Sequence, residues 1–393
     1  MGVATDQERR LLILLAFVSF VVMATEVVPV GIATVFTQQQ GVGDGGTGLL
    51  VITYALGVAV GGPLLTLTVV SVDQRLLLST LIGAFAISQA ITAAAPTMPL
   101  ILAARVLSGL IAGATFAAVT VVAYRLADRG SRGKALGTVA LGISLATVVA
   151  APAANLLANG LGWTAPFWIL ALMAAFALLP VRRLVGAGRL SDVTRARQLR
   201  SLLRPGVRSA LSSTVLVDPA LFCAYTYLVP LVVSRRAGGD VAFVLVAFGI
   251  GAASGTALGG RAFDRSPRWG LIVASATTGV SLAALALAGT VLPMVVACFF
   301  FGLGAFAAIP ILQGGVLHHA PEAPLIASAV NVSAFNLANA IGAGAGAIGI
   351  AAFGPAGPAY IGGFETLAVA AALSVTAALT ATRSRARRAT ETL

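Results

Sequence analysis

Twelve long apolar stretches follow one another along the chain, with short polar segments between them. An α-helix needs about 20 apolar residues to cross the roughly 30 Å hydrocarbon core of a bilayer, and all of these stretches approach or exceed that length. Within a bilayer the backbone must hydrogen-bond to itself, so the pattern predicts an all-α membrane protein with twelve transmembrane helices. The stretches lie at residues 11–35, 47–69, 76–95, 98–123, 134–158, 164–181, 207–233, 240–260, 269–289, 291–317, 325–352 and 358–381.

Basic residues fall in nearly every second gap between these stretches. Of the 25 Lys and Arg residues, all but Arg105, Arg235 and Arg236 lie on the side that an even number of crossings shares with the N-terminus. Cytoplasmic loops of membrane proteins carry the excess of positive charge. We therefore expect a multi-pass protein of the cell membrane (inner or plasma) with both termini and the central loop in the cytoplasm.

Composition supports a membrane protein and narrows its partners. Hydrophobic residues make up 58% of the chain and charged residues 10%, against about 25% charged in soluble domains. The net charge of +12 is spread over the membrane edges, which favours anionic lipid headgroups at the cytoplasmic side over nucleic acid. Neither cysteine is placed for a disulfide framework or a metal site, so no metal and no cofactor are expected. Separately, the chain is expected to be a monomer.

The longest polar segment divides the chain into two halves. We predict an N-terminal six-helix half at 1–181, a cytoplasmic linker at 182–206 and a C-terminal six-helix half at 207–393. Part of the linker, 191–204, is predicted either as a basic amphipathic helix on the inner leaflet or as a solvated tether.

Short sequence matches relate the two halves. Thr25-Glu-Val-Val-Pro29 is matched by Thr226-Tyr-Leu-Val-Pro230, and the spacing of Gly57 and Gly61 by that of Gly251 and Gly255. Parallel repeats of this kind are typical of a large class of transporters, whose substrate site lies between the halves near the membrane midplane.

Several blocks in order along the chain resemble the major facilitator superfamily, and within it the twelve-span drug:proton antiporters of the bacterial chloramphenicol and arabinose/sugar efflux type. The resemblance implies two pseudo-symmetric six-helix halves and proton-driven export of a small amphipathic molecule by alternating access. An alanine-substituted form of the antiporter motif at 142–152 also favours export. The blocks are Ala24-Thr-Glu-Val27, 54–65, Ala104-Arg-Val-Leu-Ser-Gly109, 162–168, 222–230, 258–265 and Asn331-Val-Ser-Ala-Phe-Asn336.

Three ionisable residues inside the spans are candidates for proton coupling: Glu26, Arg105 and Asp218. Intramembrane charges are costly, so they usually serve transport. The resemblance links an arginine at the position of Arg105 to coupling. The structural alternatives are hydrogen bonding between helices for Glu26, a packing strut for Arg105, and a wet vestibule or repair of the backbone at Pro219 for Asp218. Glu365 is interpreted as an interfacial residue.

Polar and aromatic side chains of the later spans are candidates for substrate binding, because small-molecule sites combine apolar walls with a few polar groups. The alternative role of each is helix packing. These residues are Phe222, Tyr225, Tyr227, Gln313, Asn331, Asn336 and Asn339.

A glycine-rich, charged block after the eighth span resembles the family's cytoplasmic gate. It contains Gly260, Arg261, Asp264 and Arg265. The corresponding segment of the N-terminal half keeps only Asp73 and Arg75, out of the usual register, which puts a gate there in doubt.

Other functions remain open at this point. Import or export of a sugar-like solute would use the same fold, and a membrane sensor or scaffold would carry no flux. No pairing of nucleophile and base suggests an enzyme, and no Walker sequence suggests use of ATP.

Overall fold

The computed structural model describes residues 6–41, 45–68, 72–189, 195–235 and 241–391. Within these ranges the chain is helical, and its only β-type pairing is an isolated antiparallel bridge between Asp73 and Arg189. The helices are α1 (Asp6–Gln40), α2 (Gly45–Thr68), α3 (Gln74–Ala94), α4 (Met98–Leu126), α5 (Arg132–Leu161), α6 (Ala165–Leu184), α7 (Arg195–Leu202), α8 (Pro205–Val217), α9 (Pro219–Tyr225), α10 (Leu228–Ser234), α11 (Val241–Arg265), α12 (Pro267–Leu287), α13 (Val291–His319), α14 (Pro324–Phe353) and α15 (Gly357–Glu391).

The described helices are long and apolar enough for repeated membrane crossing. They include 11 such stretches, the last of which runs from Pro324 to Thr376 over 53 residues. At 1.5 Å per residue a helix of that length would reach roughly 80 Å, far more than one crossing needs. A 3₁₀ turn at Gly354–Ala356 interrupts it between α14 and α15. The prediction of an all-α membrane protein is confirmed, and the stretches are compatible with twelve crossings.

The seventh predicted span differs from the single helix expected over 207–233. It consists of α8, α9 and α10, with interruptions at Asp218 and at Thr226–Tyr227. Both have a physical cause in the sequence. Pro219 and Pro230 carry no backbone N–H, so each removes a helical hydrogen bond to the carbonyl four residues earlier.

The described residues form two compact units. Unit 1 comprises Met1–Val215 and Leu312–Leu337, and unit 2 comprises Leu216–Ile311 and Ala338–Leu393. In unit 1, α1 packs on α5, α2 on α4, and α3 on α6; in unit 2, α12 and α9 both pack on α15. The end of α13 and the first half of α14 thus belong to unit 1.

Hydrogen bonds and ion pairs explain why the later segment lies in unit 1. The Ser333 hydroxyl donates to the carbonyl of Ala59 on α2 at 2.6 Å. Glu322, just before α14, pairs with Arg197 on α7 at 3.4 Å and with Arg204 at 3.0 Å. Leu202 packs on an apolar cluster that includes Val207 and Val316. The predicted helix within 191–204 is therefore present as α7, and it is held against the protein.

Glycines bring helices into backbone contact in both units. A Cβ at Gly109 would meet the carbonyl of Tyr54, and one at Gly113 would lie 2.9 Å from the carbonyl of Val58. Gly109 and Gly113 thus permit a close contact between α4 and α2. In unit 2, Gly251 of α11 meets the Phe299 carbonyl of α13 in the same way. In both units a glycine thus brings two helix backbones into contact, which supports the internal repeat.

Candidate functional site

Arg105 is the centre of a buried polar site in unit 1. Its side chain on α4 is fully buried. Its Nε donates to the carbonyl of Leu50 on α2 at 3.0 Å, and its Nη1 donates to the carbonyl of Thr25 on α1 at 3.1 Å. The planar guanidinium can serve both acceptors at once because its donors diverge in a fixed fork. Arg105 therefore links three helices.

Tyr54 completes the surroundings of this arginine. The Arg105 guanidinium carbon lies 4.5 Å from the centre of the Tyr54 ring and 5.8 Å from that of Phe167, which is cation–π geometry. The Tyr54 hydroxyl donates to the carbonyl of Val22 on α1 at 3.1 Å. The sequence analysis did not select Tyr54 as a site residue. The available signal was a single tyrosine, one turn before Gly57, in an otherwise apolar helix.

Glu26 lies beside this cluster on α1. Its side chain is half-buried, and it directly follows Thr25, whose carbonyl holds Arg105. Glu26 interacts electrostatically with Arg105 and with Tyr54. Glu26 and Arg105, both in the described part of the chain, do not form a direct ion pair with each other. The Arg105 Nη2 is buried and without a partner. One donor of the Arg105 guanidinium thus has no hydrogen-bond acceptor, and it belongs to a residue that interacts electrostatically with Glu26 on α1.

Asp218 lies in unit 2, apart from Glu26 and Arg105, which lie in unit 1. The structure therefore does not gather the three proposed coupling residues within one unit. Asp218 is buried at the N-cap position of α9, where its side chain makes no capping hydrogen bond. Glu365 on α15 is half-buried and interacts electrostatically with Asp218. The sequence analysis treated Glu365 as interfacial and missed this relation.

The aromatic candidates in unit 2 belong to one ring cluster. Phe222 contacts Tyr225 with ring centres 6.5 Å apart, and Tyr225 stacks on Phe248 at 4.9 Å. Phe248 in turn contacts Phe301 at 5.2 Å. Phe248 and Phe301 were missed from the sequence, since single phenylalanines in apolar spans carry no distinguishing signal. Phe222 and Tyr225 are half-buried.

The remaining substrate candidates separate into different environments. Tyr227 donates its hydroxyl to the carbonyl of Ala343 at 3.0 Å, which is a packing role within unit 2. Asn331 is fully buried in unit 1 and accepts a hydrogen bond from Thr214 at 2.7 Å, while its Nδ2 has no partner. Gln313 is buried with its Oε1 unpartnered. Asn336 bonds to its own helix, and Asn339 is half-buried on α14.

The predicted gate residues lie at the end of α11. Gly260 is buried, Arg261 and Arg265 are exposed, and Asp264 is half-buried. Helix α12 begins two residues later, at Pro267. The block thus forms the last residues of α11, directly before the one-residue connection to α12.

The corresponding segment of the N-terminal half ties α3 to the chain after α6. Asp73 caps α3 by accepting hydrogen bonds from the amides of Arg75 and Leu76, and its other oxygen accepts from Gly188 at 2.6 Å. Arg75 donates to the carbonyl of Val185 at 2.7 Å. The Gly188 amide, and then the capping amides and the Arg75 charge, lower the pKa of Asp73 by more than its slight desolvation raises it.

Gln89 is a polar residue that the sequence analysis passed over. It lies fully buried on α3, and neither its amide nitrogen nor its oxygen has a partner. A glutamine in the middle of an apolar span was the signal that could have identified it. Among the described residues, no group of three or more His, Cys, Asp or Glu side chains is arranged to hold a metal ion.

Comparisons with known proteins agree with this architecture. The family model described as "Major Facilitator Superfamily" matches residues 14–343. The inner membrane transport protein YdhP of Escherichia coli (strain K12) is 33% identical over 91% of this chain and 94% of its own length. The chloramphenicol resistance protein of Streptomyces lividans is 31% identical over 84% of this chain and 86% of its own length.

Among solved structures, the human organic anion transporter MFSD10 (TETRAN) shares the fold. Its TM-score is 0.74 at 15% identity, over 93% of this chain and 99% of that chain. The predicted fold class and resemblance are confirmed, as is the expectation of a transporter rather than an enzyme. The match over most of its length shows that the chain belongs to the Major Facilitator Superfamily.

Proposed function

We propose that the protein exports a small amphipathic molecule from the cytoplasm in exchange for protons. The observation that carries this proposal is the arrangement of Glu26 beside Arg105, whose Nη2 is buried and unpartnered. A carboxylate inside a membrane helix is retained at a cost, and proton relays are among its established uses.

The coupling follows from the charge of Glu26. When ionised, Glu26 is attracted to the Arg105 guanidinium; when protonated, it loses that attraction. Arg105 also holds α1 and α2 through their carbonyls, so a change at Glu26 acts where three helices meet. A ligand or proton shifts a conformational equilibrium only through such differential interactions.

The direction of transport then follows from the proton gradient. The Glu26 carboxylate takes up a proton while the site is open to the exterior and releases it while the site is open to the cytoplasm. The substrate binds while the site is open to the cytoplasm and leaves while the site is open to the exterior. Asp218 is a second protonatable residue of this scheme, in unit 2.

The substrate class is inferred from aromatic and amide side chains. In unit 2, Phe222 and Tyr225 are half-buried aromatic residues. In unit 1, the buried side-chain amides of Gln313 and Asn331 each keep one polar atom without a hydrogen bond. Tyr227, Asn336 and Asn339 are the remaining proposed contacts. Apolar walls with a few polar groups suit an amphipathic molecule. One relative is named for chloramphenicol resistance, which makes chloramphenicol the first compound to test.

We further propose that Gly260, Arg261, Asp264 and Arg265 form a cytoplasmic gate. Charged pairs at helix ends break and re-form as the transporter changes state, while the glycine permits close approach. With the gate on the cytoplasmic side, both termini are cytoplasmic as well, and the exposed arginines lie near anionic lipid headgroups. The transported partners are protons and the substrate. A monomer is sufficient for this mechanism.

The decisive experiment uses purified protein in vesicles with an imposed pH gradient. Glu26→Gln keeps the size of the side chain and removes its titration, so we expect gradient-driven chloramphenicol efflux to be lost while substrate binding persists. Glu8→Gln, the same change at the membrane end of α1, should retain efflux. Asp218→Asn should reduce efflux less than Glu26→Gln does. In the same assay Asp264→Asn should slow exchange without weakening binding.

Two outcomes would contradict the proposal. Full proton coupling in Glu26→Gln would move the carrier role to Asp218 or Glu365. An absence of flux for a panel of antibiotics and sugar analogues, with no effect of Glu26→Gln, would favour a sensor or scaffold. Flux in the direction of the proton gradient would indicate symport of a solute instead.

A further inference from the structure

A small enclosed cavity lies next to Asp218 in unit 2. We call it the Asp218 cavity; it is lined by Val217, Asp218, Leu221, Ser275, Thr278, Ala305, Ala308 and Thr366. Its volume is about 10 Å³, measured as the space open to a water-sized sphere. That is close to the minimum that one water molecule requires. The cavity can therefore hold a single small ligand and excludes an organic one.

One buried group in this cavity has no partner. The Ser275 hydroxyl on α12 is 1% exposed, and its oxygen makes no hydrogen bond. A buried hydroxyl without a partner is left with an uncompensated desolvation cost, and native proteins seldom leave such groups without a water or an ion. The unpartnered Ser275 hydroxyl in the cavity lining is therefore a candidate ligand for a bound species.

The other polar groups of the cavity offer oxygen atoms rather than protons. The Thr278 hydroxyl already donates to Ala274, and the Thr366 hydroxyl already donates to Gly362. Each hydroxyl has one proton to give, so both oxygens face the cavity only as acceptors. With Asp218 they form an oxygen-lined site, which carries negative charge when the Asp218 carboxyl is ionised.

The backbone adds to the attraction for a cation. Helix α8 ends at Val217 and α9 begins at Pro219, and Pro219 cannot donate to the turn before it. The C-terminal end of a helix carries a partial negative charge. Broken helices in transporters place such ends against bound cations. Glu365, within electrostatic range of Asp218, strengthens the field.

We propose that the Asp218 cavity binds one dehydrated Na⁺ ion, with the Asp218 carboxylate as its charged ligand and the Ser275 hydroxyl as a neutral one. A divalent ion fits the cavity less well, since Ca²⁺ takes six to eight oxygen ligands and Mg²⁺ retains waters in an octahedral shell. The cavity lining offers one carboxylate and three hydroxyls, too few oxygens for either shell. This site does not include Glu26, which lies in unit 1; the proton proposed for Asp218 and Na⁺ compete for the same carboxylate.

The test is the thermal unfolding of the purified full-length protein at one pH and one ionic strength. We expect the unfolding midpoint to rise saturably with NaCl and not with KCl or choline chloride, because a ligand that binds the folded state stabilises it by mass action. Asp218→Asn should abolish the rise. Ser275→Ala should increase the half-saturating Na⁺ concentration by roughly tenfold or more.

Two matched variants serve as controls. Ser281→Ala removes another buried hydroxyl of α12, one that already donates to Thr278, and should leave the Na⁺ response unchanged. Glu26→Gln should also keep it, so failure of the proton mechanism and failure of this inference remain distinguishable.

Equal midpoint shifts in all three salts would overturn the inference. So would a Na⁺ response that survives Asp218→Asn, or a half-saturation unchanged by Ser275→Ala. The serine variant keeps the proposal testable if Asp218→Asn fails to fold. Equilibrium binding of radioactive Na⁺ to wild-type protein gives a second readout, with one site per chain as the expected result.

Discussion

Arg105 shows how one side chain can serve both stability and coupling. Its Nε and Nη1 satisfy backbone carbonyls of α2 and α1, while its Nη2 remains without a partner. A buried arginine costs several kcal/mol to desolvate, and leaving one donor unused adds to that cost. The packing role and the proposed coupling role therefore fall on the same side chain, and a substitution has to separate them.

We predict that Arg105→Lys weakens both the fold and the transport. Lysine keeps the charge, but it lacks the planar fork that reaches two carbonyls at once. One unsatisfied carbonyl should cost about 1–3 kcal/mol, seen as a lower midpoint of thermal unfolding, and efflux should fall further than substrate binding. Arg132→Lys is the matched control, since Arg132 lies 4.4 Å from the ring of Tyr124. A normal efflux rate in Arg105→Lys would reduce Arg105 to a structural residue.

At the scale of helices, small residues decide which pairs can approach. Gly109 of α4 lies against the backbone of Tyr54, and Gly57 of α2 lies against that of Val106. Lipid provides no hydrophobic drive for helix association, so close van der Waals packing has to supply it. This packing also sets Tyr54 below the guanidinium of Arg105.

We predict that Gly109→Ala destabilises unit 1. Its Cβ would press on the carbonyl of Tyr54, a backbone atom that cannot rotate away, and such overpacking costs about 1–3 kcal/mol. Gly83→Ala on α3 is the control, because its nearest neighbour is the Leu178 Cδ2 at 3.8 Å. Thermal unfolding should show a lower midpoint for Gly109→Ala alone. Equal midpoints for the two variants would mean that α2 and α4 can separate without cost.

A second prediction at this scale concerns the tie between α3 and the segment after α6, by which we mean the hydrogen bond from the Gly188 amide to the Asp73 carboxylate. The folded state lowers the pKa of Asp73 below its ordinary value of 3.8, chiefly through the Gly188 amide. The ionised carboxylate therefore stabilises this tie at every pH above that value, and the stabilisation is lost as the pH falls through the lowered pKa.

Amide hydrogen exchange at Gly188 measures this tie directly. After correction for the intrinsic pH dependence, protection should persist at about pH 5 and decline below the ordinary Asp value. Asp73→Asn retains a capping oxygen but cannot titrate, so its protection should show no acid transition. Asp128→Asn, in a neighbouring loop, should behave as wild type. A constant protection in wild type across this range would contradict the role of Asp73.

At the scale of the whole molecule, the charge of the loops determines the proposed orientation. The segment that contains α7 and the turn between α12 and α13 are expected on opposite sides of the membrane. Both native cysteines, Cys223 and Cys298, are buried, so a thiol introduced at the surface can be detected above a low background.

We predict that Ala196→Cys reacts with a membrane-impermeant maleimide only from the cytoplasmic side. Ala196 is exposed on α7. Gly289→Cys, at a position with open space around it, should react only from outside. Labelling of intact cells and of inverted vesicles gives the two readings. Reaction of Ala196→Cys in intact cells would reverse the proposed topology.

The sequence by itself determined the class of the molecule. Spans of about 20 apolar residues admit only helices in a bilayer, and regular spacing of charge in the loops supported the count. It also located Glu26, Arg105 and Asp218, because an ionisable residue in an apolar span is conspicuous.

Only the tertiary structure decided which residues meet. Tyr54 below Arg105, Glu365 near Asp218 and the unpartnered hydroxyl of Ser275 depend on contacts between helices far apart in sequence, and a single tyrosine or serine in an apolar span carries no signal of its partner. The structure also placed 312–337 with unit 1 through Ser333. Hydropathy can be read from consecutive residues of one helix, whereas a polar site forms only when the fold brings side chains of several helices together.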